Sequence, residues 1–402
     1  MTSTQILIVA TIIAYLVGII MVGVYFSRKN TGGSSSEFYL GGRQLGPLVT
    51  AMSAEASDMS SWLLMGLPGL AYISGIAEAG WTAIGLAVGT YLNWLLVSKR
   101  LRRYSIRANN AITLPEFFSN RFREGKKTIM FLAAAFILIF FTVYAASCFV
   151  TCGKLFSTLF GMPYVTMLIV GAIFVLLYTL LGGFLAESAS DFMQAIVMIV
   201  ALTVIVIIST VNAGGIGAVM ENAQQIPGFV EFFGLATPVV DAAGVQATQA
   251  GTPIFGDPSA YGLLTICSMM AWGLGYFGMP QVLLRFMAIR KEEELTRSRR
   301  IAMVWVVISL AVAVFIGIVG RQLALLENIF QLFGGNNTDE GLDLFVSQIT
   351  RRHHNFFPQR HCPHPPFHPR EPRQCRPGQT RPRQRGAGAR LRRSDSRTEG
   401  SR

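Results

Sequence analysis

A chain of 402 residues is long enough for two or three soluble domains, but 51% of its residues are hydrophobic and only 14% are charged. The mean hydropathy of +0.46 excludes an ordinary soluble protein and favours a membrane protein. The net charge of +12 is unevenly distributed. Residues 1–350 hold 20 Lys and Arg against 19 acidic residues, whereas residues 351–402 hold 14 Arg against 3 acidic residues. The basic character therefore belongs to the tail, and the body is close to neutral.

Eight stretches of the body are long and apolar enough to cross a hydrocarbon core of about 30 Å. In chain order, the predicted spans are residues 5–27, 46–70, 76–97, 128–156, 163–186, 190–211, 260–288 and 300–321. The first stretch is too long for a signal peptide and has no cleavage site, so we expect it to be retained as a helix. The pattern predicts an all-α polytopic membrane protein.

The basic residues of the body alternate between the two sides of these spans. If residue 1 lies outside, 18 of the 20 Lys and Arg of the body fall in three inside regions, within 28–43, 99–127 and 285–300. The two exceptions, Lys154 and Arg321, lie near helix ends, where we expect their long side chains to extend to water. Positive charge in short loops favours the cytoplasmic side, so the N-terminus is predicted to lie outside.

The second predicted span carries the deep carboxylate of the body, Asp58, with apolar residues on both sides. An ionisable group at this depth is costly and is a functional-site candidate by default. The hydroxyl residues Ser57, Ser60 and Ser61 favour a helix break, which would free carbonyl oxygens for an alkali cation. The alternative is a packed polar residue, although no Lys or Arg within a span is an obvious partner. We expect Glu55, one turn earlier, near the water interface.

The seventh predicted span is rich in glycine. Residues 273–278 match the Gly-x-Gly-x-x-Gly spacing of a dinucleotide-binding loop, but no strand precedes them, so that interpretation is rejected. Followed by Pro280, they indicate instead a helix that unwinds at mid-membrane. Trp272 and Tyr276 are four residues apart and would line a solute cavity, although an aromatic packing stripe is the alternative. Two interrupted spans in one polytopic chain are typical of secondary transporters.

Several stretches of the body resemble the sodium/solute symporter family. They are residues 40–47, 56–69, 114–118, 140–147, 182–186 and 272–280. The resemblance implies a LeuT-like fold of inverted repeats and transport by alternating access. Within a transmembrane domain at 1–350, an extra first helix would precede a first repeat at about 46–211 and a partial second repeat at about 260–350.

The resemblance also implies a function and a site. The function is sodium-coupled symport of L-proline across the bacterial plasma membrane, with no enzymatic activity. The implied sodium ligands are the backbone carbonyls of Ala56 and Met59 together with the carboxylate of Asp58. The implied substrate residues are Ser60, Ser61, Trp62, Tyr144, Trp272, Tyr276 and Pro280.

Three departures from the family pattern leave another small solute as an alternative substrate. Ser61 stands where the family's proline carriers usually have Gly, Met279 where they often have Gln, and Glu55 where a small residue is common. Sodium is the only cofactor implied. The expected partners are the solute and the lipid bilayer, with no nucleic acid and no obligate protein partner.

Two other classes of function, a sensor and an enzyme, are alternatives. A solute-binding sensor with a transporter-like body would need a signalling domain, and none is visible in the sequence. An intramembrane enzyme would need paired catalytic groups in facing helices, whereas the body has no His and one deep Asp.

The tail, residues 351–402, is expected to be a disordered segment rich in Arg, Pro and His. The family continues here with a helix whose Ser/Thr pair completes the sodium site, and an Arg-rich segment without Lys is typical of a GC-rich gene translated out of frame. We therefore expect a truncated or frameshifted copy that inserts without concentrating proline. The alternatives are a nucleic-acid-binding or lipid-binding tail and a metal site, although the spacing of the metal candidates fits no standard zinc pattern. Those candidates are His361, Cys362, His364 and His368.

Overall fold

In the computed structural model, the described residues are 3–29, 34–60, 62–240, 246–249 and 252–332. The predictions for Ser61 and for the tail lie outside these residues. The helices are α1 (Ser3–Lys29), α2 (Ser35–Leu40), α3 (Pro47–Asp58), α4 (Leu67–Ser74), α5 (Ile76–Leu96), α6 (Ser98–Arg107), α7 (Leu114–Arg121), α8 (Thr128–Phe160), α9 (Tyr164–Asn212), α10 (Gly215–Gln225), α11 (Leu263–Met270), α12 (Pro280–Ala288) and α13 (Leu295–Leu332). The short strands are β1 (Gly234–Leu235), β2 (Thr248–Gln249), β3 (Thr252–Pro253) and β4 (Ser259–Ala260).

Each of the eight predicted spans contains an apolar helix. Within the described residues, four helical stretches are long and apolar enough to cross a membrane, and a pair bent by 46° makes a fifth if it is counted as one span. The four are Ile76–Arg107, Thr128–Ser157, Gly182–Asn212 and Glu292–Ala324, and the bent pair joins Leu263–Gly278 to Pro280–Ala288. Shorter apolar helices occupy the other three, at Ala10–Tyr25, Trp62–Ser74 and Tyr164–Leu177. The chain is therefore a polytopic helical membrane protein, as predicted.

The boundary predicted between the fifth and sixth spans, at residues 186–190, is wrong. Helix α9 continues through it, and its departure from helical geometry lies earlier, at Gly183, with φ 60° and ψ −161°. Only glycine adopts these angles readily. A Cβ atom at position 183 would also lie 2.9 Å from the carbonyl oxygen of Phe38, so α2 packs directly against the break.

The second predicted span is a broken helix. Helix α3 begins with Pro47 in its first turn, where a missing N–H costs nothing, and ends at Asp58. Met59 leaves the helix with φ −76° and ψ 80°, and a π-helical turn, Trp62–Gly66, leads into α4. Helix α13 packs along both halves. On the α3 side, Ser298 Oγ donates to the carbonyl oxygen of Pro47 at 2.9 Å, and on the α4 side, Leu67 and Leu310 belong to one buried apolar cluster.

The seventh predicted span is interrupted by a 3-10 helix, Ala271–Gly278, between α11 and α12. This segment lies directly on the backbone of α5. A Cβ atom at Gly273 would collide with the carbonyl oxygen of Gly85, and one at Gly89 would collide with the backbone of Gly273. Glycine on both sides therefore allows the two backbones to touch.

The three regions predicted to lie inside contact one another at one end of the molecule, here called the basic end. Arg43 donates from Nη1 to the carbonyl oxygen of Met287 at 2.6 Å and from Nη2 to that of Ala111 at 2.8 Å. Arg102 donates from Nε to the carbonyl oxygen of Ile289 at 2.7 Å. Burial and the nearby Arg102 charge lower the pKa of Arg43 to about 10, so this guanidinium stays charged at neutral pH.

A cap covers the other end of α5 and contains residues 213–240, 246–249 and 252–262. It holds α10 and two antiparallel pairings, of β1 with β4 and of β2 with β3. The cap is tied to the start of α5, because the amide of Ile76 donates to the carbonyl oxygen of Phe229 at 2.7 Å.

Candidate functional site

The break after α3 redirects the backbone donors of two predicted sodium ligands. In a continuous helix the amide of Ser60 would bond the carbonyl of Ala56, and the amide of Leu63 would bond that of Met59. Here the Ser60 amide bonds the Asp58 carbonyl at 2.9 Å, and the Leu63 amide bonds the Ser60 carbonyl at 3.1 Å. The carbonyls of Ala56 and Met59 therefore lose their regular helical donors, and such oxygens suit a hard cation.

A small cavity adjoins the break. It measures about 30 Å³, which suits a water molecule or a bare cation and is too small for an amino acid. Its lining residues are Asp58, Met59, Ser60, Trp62, Leu63, Leu86, Tyr276, Val306 and Leu310. The Tyr276 hydroxyl is a side-chain neighbour of the Asp58 carboxylate, and the Tyr144 hydroxyl is a neighbour of Ser60. Asp58 pairs with no Lys or Arg in the described part of the chain.

The structure brings most of the predicted substrate residues together around this cavity. The rings of Trp62 and Trp272 lie 4.8 Å apart, and Trp272 remains 44% exposed. The backbone at Tyr276 is held by Asn93, whose side-chain amide donates to its carbonyl oxygen at 3.0 Å. Pro280 begins α12 and is not among the lining residues found in the described chain.

Glu55 does not lie near the water interface, as the sequence suggested, but inside the helix bundle. Only 2% of it is exposed, and its Oε1 accepts a hydrogen bond of 2.9 Å from Nε1 of Trp94. The Trp94 ring in turn packs edge-on against Phe286, with centroids 4.5 Å apart. The sequence contained a signal for the burial of Glu55, because Glu55 and Asp58 are three residues apart and therefore share one helix face.

The expectation of one deep carboxylate is also wrong, because Asp191 is buried as well. It belongs to a charged network that links three helices toward the basic end. Arg285, 1% exposed, donates from Nη2 to Asp191 Oδ2 at 2.7 Å and to Glu187 Oε1 at 3.2 Å. Its Nε donates to Ser53 Oγ at 2.9 Å. Asp191 Oδ2 also accepts hydrogen bonds from Ser53 at 2.8 Å and from Ser57 at 2.9 Å. Helices α3, α9 and α12 are thereby joined through one carboxylate.

Comparison with known proteins places these features in a family context. The profile described as "Sodium:solute symporter family" matches residues 38–340. The sodium/proline symporter of Haemophilus influenzae is 44% identical over 313 residues, which are 77% of this chain and 56% of that protein. The sodium/proline symporter of Escherichia coli is 42% identical over 320 residues, 79% of this chain and 58% of that protein. The chain thus spans a little over half the length of these relatives.

A solved structure supports the same fold. A Na+-coupled sialic acid symporter in a substrate-bound outward-open state matches with a TM-score of 0.64 and 20% identity. The match covers 84% of this chain and 66% of that protein. At this identity the similarity concerns the fold alone.

Proposed function

The chain belongs to the sodium:solute symporter family, and on that premise we propose that it forms the body of a carrier that moves L-proline into a bacterial cell together with sodium. The relatives named sodium/proline symporter support the substrate and the ion. The observation that carries the proposal is the helix break beside Asp58, where two carbonyls lose their regular helical donors. The adjacent carboxylate pairs with no Lys or Arg of the described residues.

Sodium would bind to the carbonyl oxygens of Ala56 and Met59 and to the carboxylate of Asp58. All three are hard oxygen ligands of the kind that replace the water shell of an alkali cation. A sodium ion would also neutralise the Asp58 charge, which is costly inside the bundle without a cation. Coupling follows if solute binds better to the sodium-loaded form, because the ion then shifts the population toward that form.

The solute would bind on the other side of the break. The hydroxyl groups of Ser60 and Tyr144 suit its polar end, and the aromatic rings of Trp62, Trp272 and Tyr276 suit an apolar ring. On the family resemblance alone, Ser61 and Pro280 would also contact the solute. The cavity of about 30 Å³ is smaller than proline. Solute entry therefore requires the contacting Trp62 and Trp272 rings to separate.

The proposed orientation places the basic end in the cytoplasm and the N-terminus and cap outside. Positive charge in short loops favours the cytoplasmic face, and the three basic regions contact one another at a single end. The proposed location is the bacterial plasma membrane, and the proposed role is transport rather than catalysis.

Equilibrium binding of tritiated L-proline to the purified chain tests this function. We expect NaCl to raise the affinity at least about tenfold over choline chloride, a coupling free energy of about 1.4 kcal/mol. Unlabelled L-proline should displace the sodium-stimulated part of the label, whereas L-leucine and myo-inositol should not. Displacement by one of these two instead would reassign the substrate.

Two aspartate variants provide the matched comparison. Asp58→Asn keeps the side-chain shape but removes the charge, so the sodium stimulation should disappear. Asp257→Asn changes an exposed aspartate of the cap and should leave the stimulation intact. Sodium stimulation of unchanged size in Asp58→Asn would show that this carboxylate is structural.

A further inference from the structure

A second, larger cavity lies between the cap and α13. It measures about 290 Å³, at the lower end of the range for small-molecule sites. Its walls are mostly apolar and include Ala223, Phe229, Phe255 and Ile318. Two neighbouring polar residues of α13, Arg321 and Gln322, also line it.

Arg321 is not extended to water, as its position near a helix end had suggested, but is only 7% exposed. Its guanidinium carbon lies 4.7 Å from the centroid of Phe255 and 5.1 Å from that of Tyr72. Its Nη1 donates to Oε1 of Gln246 at 3.2 Å. No carboxylate of the described residues pairs with it, so its contacts there are neutral. A buried guanidinium in this setting favours an anionic ligand that can accept its remaining hydrogens.

Gln322 offers a hydrogen-bond acceptor beside the Arg321 cation. It is 5% exposed, and its Oε1 has no hydrogen-bond partner among the described residues. A buried carbonyl oxygen left without a donor costs free energy, so the site favours a ligand that carries an N–H group. The same cavity thus presents a cation for a carboxylate, an acceptor for an amine and an apolar wall.

This cavity is separate from the one beside Asp58. Both adjoin α13, but Leu310 lines the inner cavity whereas Ile318 and Arg321 line this one. At about 1.5 Å per residue, the lining positions lie roughly 12–16 Å apart along the helix axis. A ligand of amino-acid size bound at one site would not fill the other.

We propose that the cap cavity is a second solute site that binds a small zwitterionic amino acid, with its carboxylate on Arg321, its amine on Gln322 and its apolar side against Phe229 and Phe255. The site does not depend on sodium, because the polar groups that recognise the ligand are supplied by the protein itself. It also does not require that the bound amino acid be the transported one.

Calorimetric titration of the purified chain with L-proline, in choline chloride without sodium, tests the proposal. We expect L-proline to bind, and both L-prolinamide, which lacks the carboxylate, and cyclopentanecarboxylate, which lacks the amine, to bind at least about tenfold more weakly. Chloride is present throughout, so the ligand must compete with an inorganic anion. No heat of binding from L-proline, or equal affinity for L-prolinamide, would overturn the proposal.

Four variants locate the site. Arg321→Gln and Gln322→Leu should each weaken L-proline binding at least about tenfold. Ala223→Met leaves both polar groups in place but fills the cavity from α10, so it should also abolish binding. Arg299→Gln is the matched control, because Arg299 lies on the same helix over the Tyr91 ring at 5.5 Å and does not line the cavity. Thermal unfolding verifies that each variant is folded.

Two results would assign the sodium-free binding to another place and overturn the proposal. One is unchanged affinity in both Arg321→Gln and Ala223→Met, and the other is an equal loss in Arg299→Gln. The absence of sodium separates this test from that of the transport site, which depends on sodium stimulation and on Asp58.

Discussion

The carboxylates of Asp191, Glu55 and Asp58 differ in the groups that surround them. Asp191 bonds the guanidinium of Arg285, so its charge is balanced within the protein. Glu55 accepts a single hydrogen bond from Trp94. Asp58 has a tyrosine hydroxyl as a neighbour and no basic partner among the described residues, and it is here that we propose a sodium ion. Position inside the bundle is therefore not sufficient to identify a cation ligand.

The network around Arg285 should be a large contributor to stability. Asp191→Asn leaves the buried guanidinium without its main counter-charge and should lower the free energy of unfolding by about 3–5 kcal/mol. Glu187→Gln is the control, because Glu187 is 37% exposed and bonds the same guanidinium at 3.2 Å, so it should cost less than about 1 kcal/mol. Unfolding in mixed micelles with increasing SDS measures both changes, and equal losses would contradict this account.

Substitutions of Trp272 and Trp94 should have different effects, one on solute binding and the other on stability. Trp272→Ala should weaken sodium-dependent proline binding while changing stability little, because Trp272 is 44% exposed and its ring contacts that of Trp62. Trp94→Ala should cost about 3–5 kcal/mol, since it removes a ring that is 1% exposed and leaves Glu55 without its donor. Radioligand binding and thermal unfolding distinguish the two effects. Normal proline affinity in Trp272→Ala, with reduced stability, would identify a packing residue.

The sequence predicted Asp58 but not the partners of Arg285, and the reason is physical. A charge flanked by apolar residues is visible in a local window, because its cost depends on depth. Arg285 and Asp191 are 94 positions apart, and the packing of α9 and α12 against α3 brings them together. The burial of Arg321 was not predicted for the same reason, since the cap that covers it is distant in sequence.

Among the elements, the interrupted span before α12 depends on close backbone contact with α5. Gly273 occupies that contact, whereas no atom of the described residues beyond the local backbone lies within 4 Å of the position that a Cβ on Gly275 would take. The two glycines belong to one motif, yet only one of them is constrained by packing.

An alanine scan of this motif should show the difference. Gly273→Ala places a methyl group against the carbonyl of Gly85 and should destabilise the protein by about 1–3 kcal/mol, as other overpacked positions do. Gly275→Ala meets open space and should stay within about 0.5 kcal/mol of the parent. SDS unfolding measures both. Equal effects would mean that backbone flexibility, rather than close packing, explains the glycines.

The positions of the elements were largely predictable, and their exact limits were not. Each span predicted from hydropathy contains an apolar helix, because the hydrocarbon core requires about 20 apolar residues of helix. It failed at the boundary between the fifth and sixth spans, since α9 remains helical through Glu187 and Asp191 while Arg285 balances their charge. The true break at Gly183 depends on backbone angles that hydropathy does not detect.

For the whole molecule, the separation of charge between the two ends predicts a measurable topology. In a variant with all five cysteines changed to serine, Asp257→Cys should react with a membrane-impermeant maleimide in right-side-out vesicles. Lys126→Cys, at the basic end, should react only in inside-out vesicles. Both residues are exposed, so access is set by the bilayer. Labelling of both positions from the same side would contradict the proposed orientation.

Helix α3 joins the proposed sodium site to the charged network at the basic end. Ser57, which donates to Asp191 at 2.9 Å, immediately precedes Asp58 in the chain. If sodium draws the carbonyls of residues 56–59 toward itself, it changes the hydrogen bond that Ser57 makes. Thermodynamic linkage then requires reciprocity: the factor by which sodium shifts the equilibrium between the formed and the broken Ser57–Asp191 hydrogen bond equals the factor by which breaking that bond shifts sodium affinity. A substitution in the Arg285 network should therefore change sodium affinity, although no residue of that network binds the ion.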